Sequence, residues 1–177
     1  MSKIALVDID GMVHAAAALA EEVYYEVDGI RFDYKTQANE YCDTHSKDRM
    51  EIVRQVDAQP AANAINILKQ IVAAAVKGAD CTDFELYLSP TDRSNFRFQI
   101  DPTYKANRKD VVKPVHFNVL RNHITKHMAA SQANDVLCTG MEADDMLAIR
   151  AHEIGLDKVV IVSVDKDMKQ VPTSHYD

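Results

Sequence analysis

Four short apolar segments, residues 4–7, 84–88, 136–138 and 159–162, are each followed within a few positions by acidic side chains. Apolar runs of this length, separated by helical periodicity, read as strands of a parallel sheet covered by helices on both faces. Pro60 opens the first clear helix, with Ile65, Leu68, Val72 and Val76 on one face and Gly78 as the stop. Pro114 opens a second, with Val115, Val119, Ile124 and Met128 expected inward. Thr139 and Glu142 have the spacing of a capping box that starts a third, ending near Gly155. Between residues 21 and 59 the alternation breaks. Residues 23–27 and 30–34 flank Asp28-Gly29, a strong hairpin signal, and a helix is expected around residues 47–56. The expectation is an α/β fold with a parallel β-sheet core flanked by helices and a hairpin insertion near residues 21–59. At 177 residues it should form one domain.

Ligands of open parallel sheets bind beyond the carboxyl ends of the strands, so the acids there carry the functional argument. Asp8 and Asp10 follow the first strand, and Asp92 comes shortly after the second. Glu142, Asp144 and Asp145 follow the third, and Asp165 and Asp167 the fourth. Carboxylates gathered at one edge repel one another and destabilise the fold unless positive charge stands among them. Hard divalent cations such as Mg²⁺ or Mn²⁺, which prefer oxygen ligands, are the expected answer. Acids in the first turn of a helix also complement its dipole, which alone explains Glu142, Asp144 and Asp145. It does not explain acids at the other strand ends.

The net charge of −7 argues against a nucleic-acid partner until its distribution is considered. Residues 92–126 carry eight basic and three acidic side chains, a net +5 that leaves −12 on the rest. A basic stripe on an acidic body suits local phosphate binding. Within it, Tyr104-Lys105-Ala106-Asn107-Arg108-Lys109 reads as a phosphate clamp: Lys105 a point charge, Arg108 a bidentate fork, Tyr104 a stacking platform. The three cysteines are widely spaced, as expected of a reduced, intracellular protein. No cleavable signal and no membrane-spanning run is evident, so no membrane partner is expected. His123 and His127 have zinc-pair spacing, with His116 on the same face, but no matching carboxylate motif stands nearby.

Asp8-Ile9-Asp10-Gly11 after an apolar strand also looks like the nucleophile loop of haloacid-dehalogenase phosphatases. In that reading Asp8 accepts the phosphoryl group, Asp10 is the general acid, and Ser89 or Ser163 imitates the second motif. Met12 departs from the usual pattern there, and the basic loop is left without a role.

Taken in order, Tyr-Lys-Ala-Asn-Arg-Lys from Tyr104, Lys113-Pro114, Gly-Met-Glu-Ala-Asp-Asp from Gly140 and Val-Ser-Val-Asp-Lys-Asp from Val162 form a series. This series resembles the bacteriophage 5′–3′ exonucleases of the flap-endonuclease family, which share a PIN-like, or resolvase-like, nuclease domain. The resemblance implies metal ligation by Asp8, Glu142, Asp144, Asp145, Asp165 and Asp167, with Asp92 as the candidate for a further ligand after the second strand. It implies two Mg²⁺ or Mn²⁺ ions, contacts from Lys105 and Arg108 to the scissile phosphate, and DNA contacts from Tyr104, Arg97, Lys109 and Lys113. The substrate would be DNA with a 5′ end or 5′ flap, cut to 5′-phosphate products, in the cytoplasm of a host cell if the gene is phage-encoded. The family continues past its last motif into a helix-three-turn-helix that grips DNA, whereas this chain stops at Asp177. That part is expected to be absent, supplied by a separate C-terminal or replication partner, or replaced by a reduced DNA grip. A non-catalytic fragment that binds DNA or a replication partner is the remaining alternative.

Overall fold

A computed structural model describes residues 3–92, 94–106, 111–128 and 136–177. Strand β1 (Ile4–Asp8) leads into helix α1 (Asp10–Leu19). Strands β2 (Glu21–Val27) and β3 (Ile30–Phe32), helix α2 (Lys35–Thr44) and strand β4 (Val53–Ala58) follow. Then come helix α3 (Ala61–Gly78), strand β5 (Asp83–Tyr87), the short α4 (Arg97–Ile100) and α5 (Phe117–His123), which runs into a π-turn at Ile124–Met128. Helix α6 (Ala143–Ile154), strand β6 (Val159–Val162) and strand β7 (Ser174–Tyr176) complete it.

The main sheet has the order β5-β1-β6-β7, and its pairs are parallel. Its two faces are filled by alternate residues, as the period of a strand requires. Ala5 and Val7 pack with Val13, Leu68, Val72 and Leu120 from α1, α3 and α5, while Leu6 and Ile161 pack with Leu147 and Ala151 of α6. The chain leaves β1 for β5 on one side and later crosses to β6 on the other. This reversal opens a crevice at the carboxyl ends of the strands, where a doubly wound sheet binds its ligand. Residues 136–138 do not become a full strand. Leu137 forms a single parallel bridge with Leu88, closed by hydrogen bonds from the Leu88 amide to the Val136 carbonyl (2.9 Å) and from the Cys138 amide to the Leu88 carbonyl (3.0 Å). Among the described residues no helix is long and apolar enough to cross a membrane.

The insertion is an antiparallel sheet of order β3-β2-β4. Asp28 and Gly29 both take positive φ (53° and 77°), the turn conformation that matches the twist of a two-residue hairpin. Helix α2 closes one face through Val27, Ala38 and Cys42. The helix expected around residues 47–56 is instead one 3₁₀ turn, Arg49–Glu51, followed by β4. Asp48 caps that turn by accepting the Met50 amide (2.9 Å), and the open edge of β2 then captures Val53–Ala58 as a strand. Pairing, not side-chain periodicity, decides this element, because no residue of β4 is fully buried.

Two helix starts also move. Pro114 sits in a turn that accepts the Phe117 amide, so α5 begins at Phe117, with its inward face on Phe117, Leu120 and Ile124. Val115 and Val119, expected inward, are 55 % and 41 % exposed. The cap of α6 falls on Glu142 rather than Thr139, and its own amide bonds Asp145 Oδ2 at 3.2 Å. The phase of α5 is checked by a pair of truncations. Leu120→Ala should destabilise the fold by about 2–5 kcal/mol, as filled core positions do, and Val119→Ala by roughly 0.5 kcal/mol or less, both measured by urea unfolding.

Candidate functional site

Asp8 is the last residue of β1 and stands between two neighbouring strand ends. The register pairs Asp8 with Tyr87 on one side and Val7 with Val162 on the other, which brings Ser163 alongside. The Ser163 hydroxyl donates to Asp8 Oδ2 at 3.0 Å and accepts the Asp165 amide at 3.1 Å. Asp165 in turn accepts the Asp167 amide at 2.9 Å, folding the two acids into an exposed 3₁₀ turn beyond β6. Asp8 Oδ1 accepts the amide of Asp10 at 3.1 Å. Burial, then the charges of Asp10 and Asp144, push the Asp8 carboxyl up to about 6. Asp144, in the first turn of α6, is also raised, again chiefly by burial and then by the charges of Asp145 and Glu142.

Glu142 and Asp145 are neutralised from within the chain. The Phe96 amide bonds the carbonyl of Gly140 (2.8 Å), which ties the α4 entry to the α6 entry and delivers Arg97 to Asp145. The guanidinium forks onto both oxygens of that carboxylate, with 2.8 Å between Nη2 and Oδ1, and the pairing raises the Arg97 pKa above its ordinary value. Lys105, in a left-handed backbone conformation (φ 56°), reaches Glu142 Oε1 at 2.5 Å, and the Tyr104 hydroxyl donates to Oε2 at 3.0 Å. Three of the expected DNA-facing groups, Arg97, Tyr104 and Lys105, therefore converge on the expected metal-binding carboxylates.

Among the described residues, no three His, Cys, Asp or Glu side chains already form a metal-ligating group. The donor chemistry nevertheless fits a hard divalent cation: Asp8 and Asp144 offer carboxylate oxygens whose ionised form is disfavoured where they stand. Asp92 is not brought in. It is exposed, its carboxylate accepts the Ser94 amide at 3.1 Å, and that bonding holds its pKa below the usual range. Lys113 places its ammonium 4.7 Å from the centre of the Phe117 ring. Arg108 and Lys109 lie outside the described residues. The three histidines do not gather: His123 and His127 touch, with ring centres 5.0 Å apart, whereas His116 bonds the carbonyl of Gln59 at 2.6 Å.

Arg121 went unnoticed in the sequence, where it is one more charge of the basic stripe. It is only 9 % exposed and donates to Asp10 Oδ1 (3.0 Å), while Asp10 Oδ2 accepts the Ser89 amide (3.0 Å). Asp10 thus has both oxygens engaged inside the fold. A charged residue on the inward face of an apolar helix demands a buried partner, and that was the available clue.

The raised pKa of Asp8 has a consequence for stability. A carboxyl whose folded pKa exceeds its unfolded value stabilises the fold below the unfolded value, near 4, and that contribution is lost as pH rises through about 6. In EDTA at pH 7.5, Asp8→Asn should therefore unfold at a higher temperature than wild type, by the equivalent of about 1–3 kcal/mol. The gap should close by pH 4 in the same thermal melts.

With this geometry in place, comparison with known proteins gives a consistent answer. The family model described as "5′–3′ exonuclease, N-terminal resolvase-like domain" matches residues 27–176. The chain is 32 % identical over 92 residues to the exonuclease of Escherichia phage T7, a stretch covering 51 % of this chain and 31 % of that protein. It is 34 % identical over 99 residues to the exodeoxyribonuclease of Enterobacteria phage T3, covering 51 % of this chain and 30 % of the relative. The chain thus matches about a third of the length of these relatives. No solved structure matches it at a significant level. The family match spans nearly the whole chain, and the parallel sheet flanked by helices agrees with it: the chain belongs to the 5′–3′ exonuclease family, whose N-terminal resolvase-like domain it carries.

Proposed function

We propose that this chain is the hydrolytic domain of a divalent-metal-dependent 5′–3′ exonuclease or flap-endonuclease-like enzyme, cutting DNA phosphodiesters to 5′-phosphate products. The observation that carries the reading is the meeting of two opposed charge sets at one sheet edge. Glu142 and Asp145 pair with Lys105 and Arg97, with Lys105 held 2.5 Å from Glu142, while Asp144 stands beside them and within reach of the charge on Asp8. Phosphodiester hydrolysis needs both sets. Acids hold cations, and basic groups stabilise charge on the phosphate oxygens.

Asp8 and Asp144 would hold the first Mg²⁺ or Mn²⁺, with Glu142, Asp145, Asp165 and Asp167 completing the ligand set for a pair. When bound, such a pair supplies a nucleophilic water at neutral pH and stabilises the leaving oxygen. Ser163 and the Asp10 amide fix the Asp8 carboxylate by donating to Oδ2 and Oδ1, and the remaining lone pair on each oxygen would be open to a cation. With those carboxylates engaged by cations, Lys105 and Arg97 would be free of Glu142 and Asp145. Lys105, with Arg108, would contact the scissile phosphate, and Tyr104, Arg97, Lys109 and Lys113 would contact the DNA strand.

The phosphatase reading needs Asp10 as a mobile general acid, and Asp10 is pinned through both oxygens by Arg121 and the Ser89 amide. One gel separates the readings: end-labelled duplex, 5′-flap and single-stranded DNA, each incubated with Mg²⁺, Mn²⁺ or EDTA. Wild-type protein should release 5′-phosphate products with either metal and none in EDTA. Asp144→Asn should lower the rate at least about 100-fold at unchanged fold. A wild-type rate in that variant sinks the assignment of the cluster, and metal-independent DNA binding without cleavage sinks the enzyme reading. Lys105→Ala should slow turnover about 100-fold, the usual scale for losing a donor that stabilises transition-state charge, as measured in single-turnover assays.

A further inference from the structure

Arg121 has no role in that scheme, yet it is the most deeply buried arginine among the described residues and sits between Leu120 and Ile124, both inaccessible to water. Its guanidinium bonds run inward, to Asp10 Oδ1 at 3.0 Å and to the main-chain carbonyl of Ser89 at 2.5 Å. Asp10 Oδ2 accepts the Ser89 amide at 3.0 Å, so Arg121, Asp10 and Ser89 close a ring of bonds. Two further bonds leave the ring. The Asp10 amide donates to Asp8 Oδ1 at 3.1 Å, and the Ser89 hydroxyl accepts the amide of Ala143 at 2.9 Å. Ala143 is the first residue of α6, where an amide has no partner within the helix. It lies between Glu142 and Asp144.

We propose that Arg121 is a positioning residue for the carboxylate site, acting through Asp10 and Ser89 to set the separation of Asp8 from the acids of α6. The inference rests on the metal-dependent reading above. β1 packs on α6 through Leu6, and at this edge the tip of β5 carries the polar link, tied to the segment entering α6 by the Leu88–Leu137 bridge and to α6 itself by the Ser89 hydroxyl. An ion pair that buries only its arginine, with Asp10 a third exposed, adds little net stability, but it holds the groups it joins to one register. Ser89 is caught at its amide, its carbonyl and its hydroxyl, so the tip of β5 has no latitude to move α6 relative to Asp8. This is how partners one shell removed from a cation hold the groups that bind it.

The test uses Ser89→Ala, which removes only the hydroxyl link to α6, and Arg121→Lys, which keeps the charge but loses the two-pronged reach. Mn²⁺ affinity is measured by calorimetry, DNA affinity by gel shift in EDTA, and folding by thermal melting. Both variants should bind Mn²⁺ about 10–100-fold more weakly than wild type, with DNA affinity in EDTA changed by less than about twofold, and Ser89→Ala should melt within a few degrees of wild type. Wild-type Mn²⁺ affinity in a folded Ser89→Ala overturns the positioning role, even if Arg121→Lys is unstable. Wild-type protein that binds no Mn²⁺ overturns this proposal together with the metal-dependent reading, whereas equal Mn²⁺ binding in wild type and variants overturns this one alone.

Discussion

β1 runs through the middle of the parallel sheet with Ala5, Leu6 and Val7 inaccessible to water, and then ends on a carboxylate. A strand covered on both faces has no solvent to disperse the charge of its last residue. Asp8 therefore carries a raised pKa, and the surroundings are organised about it. Ser163 and the Asp10 amide donate to it, Asp10 is turned away onto Arg121, and Asp144 faces it from α6 with a raised pKa of its own. Such a pair destabilises the fold as it stands, and in the proposed function a bound cation would offset that cost, the usual exchange at sites where stability gives way to function.

Glu142 and Asp145 are handled differently from Asp8 and Asp144, although all four stand at one edge. The first two are matched by Lys105 and Arg97 from a loop distant in sequence, the second two by no cation bonded to them among the described residues. The division follows from position. The Phe96–Gly140 bond delivers Arg97 and Lys105 to the entry of α6, beside Glu142 and Asp145, whereas Asp8 is bonded by Ser163 and the Asp10 amide and Asp144 by the Asp145 amide. In the proposed reaction the same basic groups change partners, from carboxylate to phosphate, so the loop from Arg97 to Lys105 neutralises the site before substrate arrives.

The strands were legible because their chemistry is uniform: β6 is four apolar residues, all buried. The acids at the strand ends were legible because strand direction puts them on one edge. Elements whose apolar signal is weak were not. α2 buries only Ala38 and Cys42, and β4 is held by its pairing to β2. The start of α5 was misread because Pro114 belongs to a turn before the helix, whereas Ile124 and Met128, in the π-turn after His123, pack inward as expected. Arg121 was counted as a surface charge because a sequence does not display burial, and Asp92 was set beside the cluster by its place after β5 although its carboxylate caps a local turn.

By itself, the sequence determined the alternation of strands and helices, the gathering of carboxylates at the carboxyl edge and the nearness of a basic loop in chain order. These follow from hydrophobic period and strand polarity, which are local properties. Tertiary structure alone decided which acid meets which base. The Arg97–Asp145 and Lys105–Glu142 pairs and the Arg121–Asp10–Ser89 ring join residues dozens of positions apart. Their formation depends on the crossing from β5 to β6 and on how deeply each side chain lies, and no local pattern encodes depth.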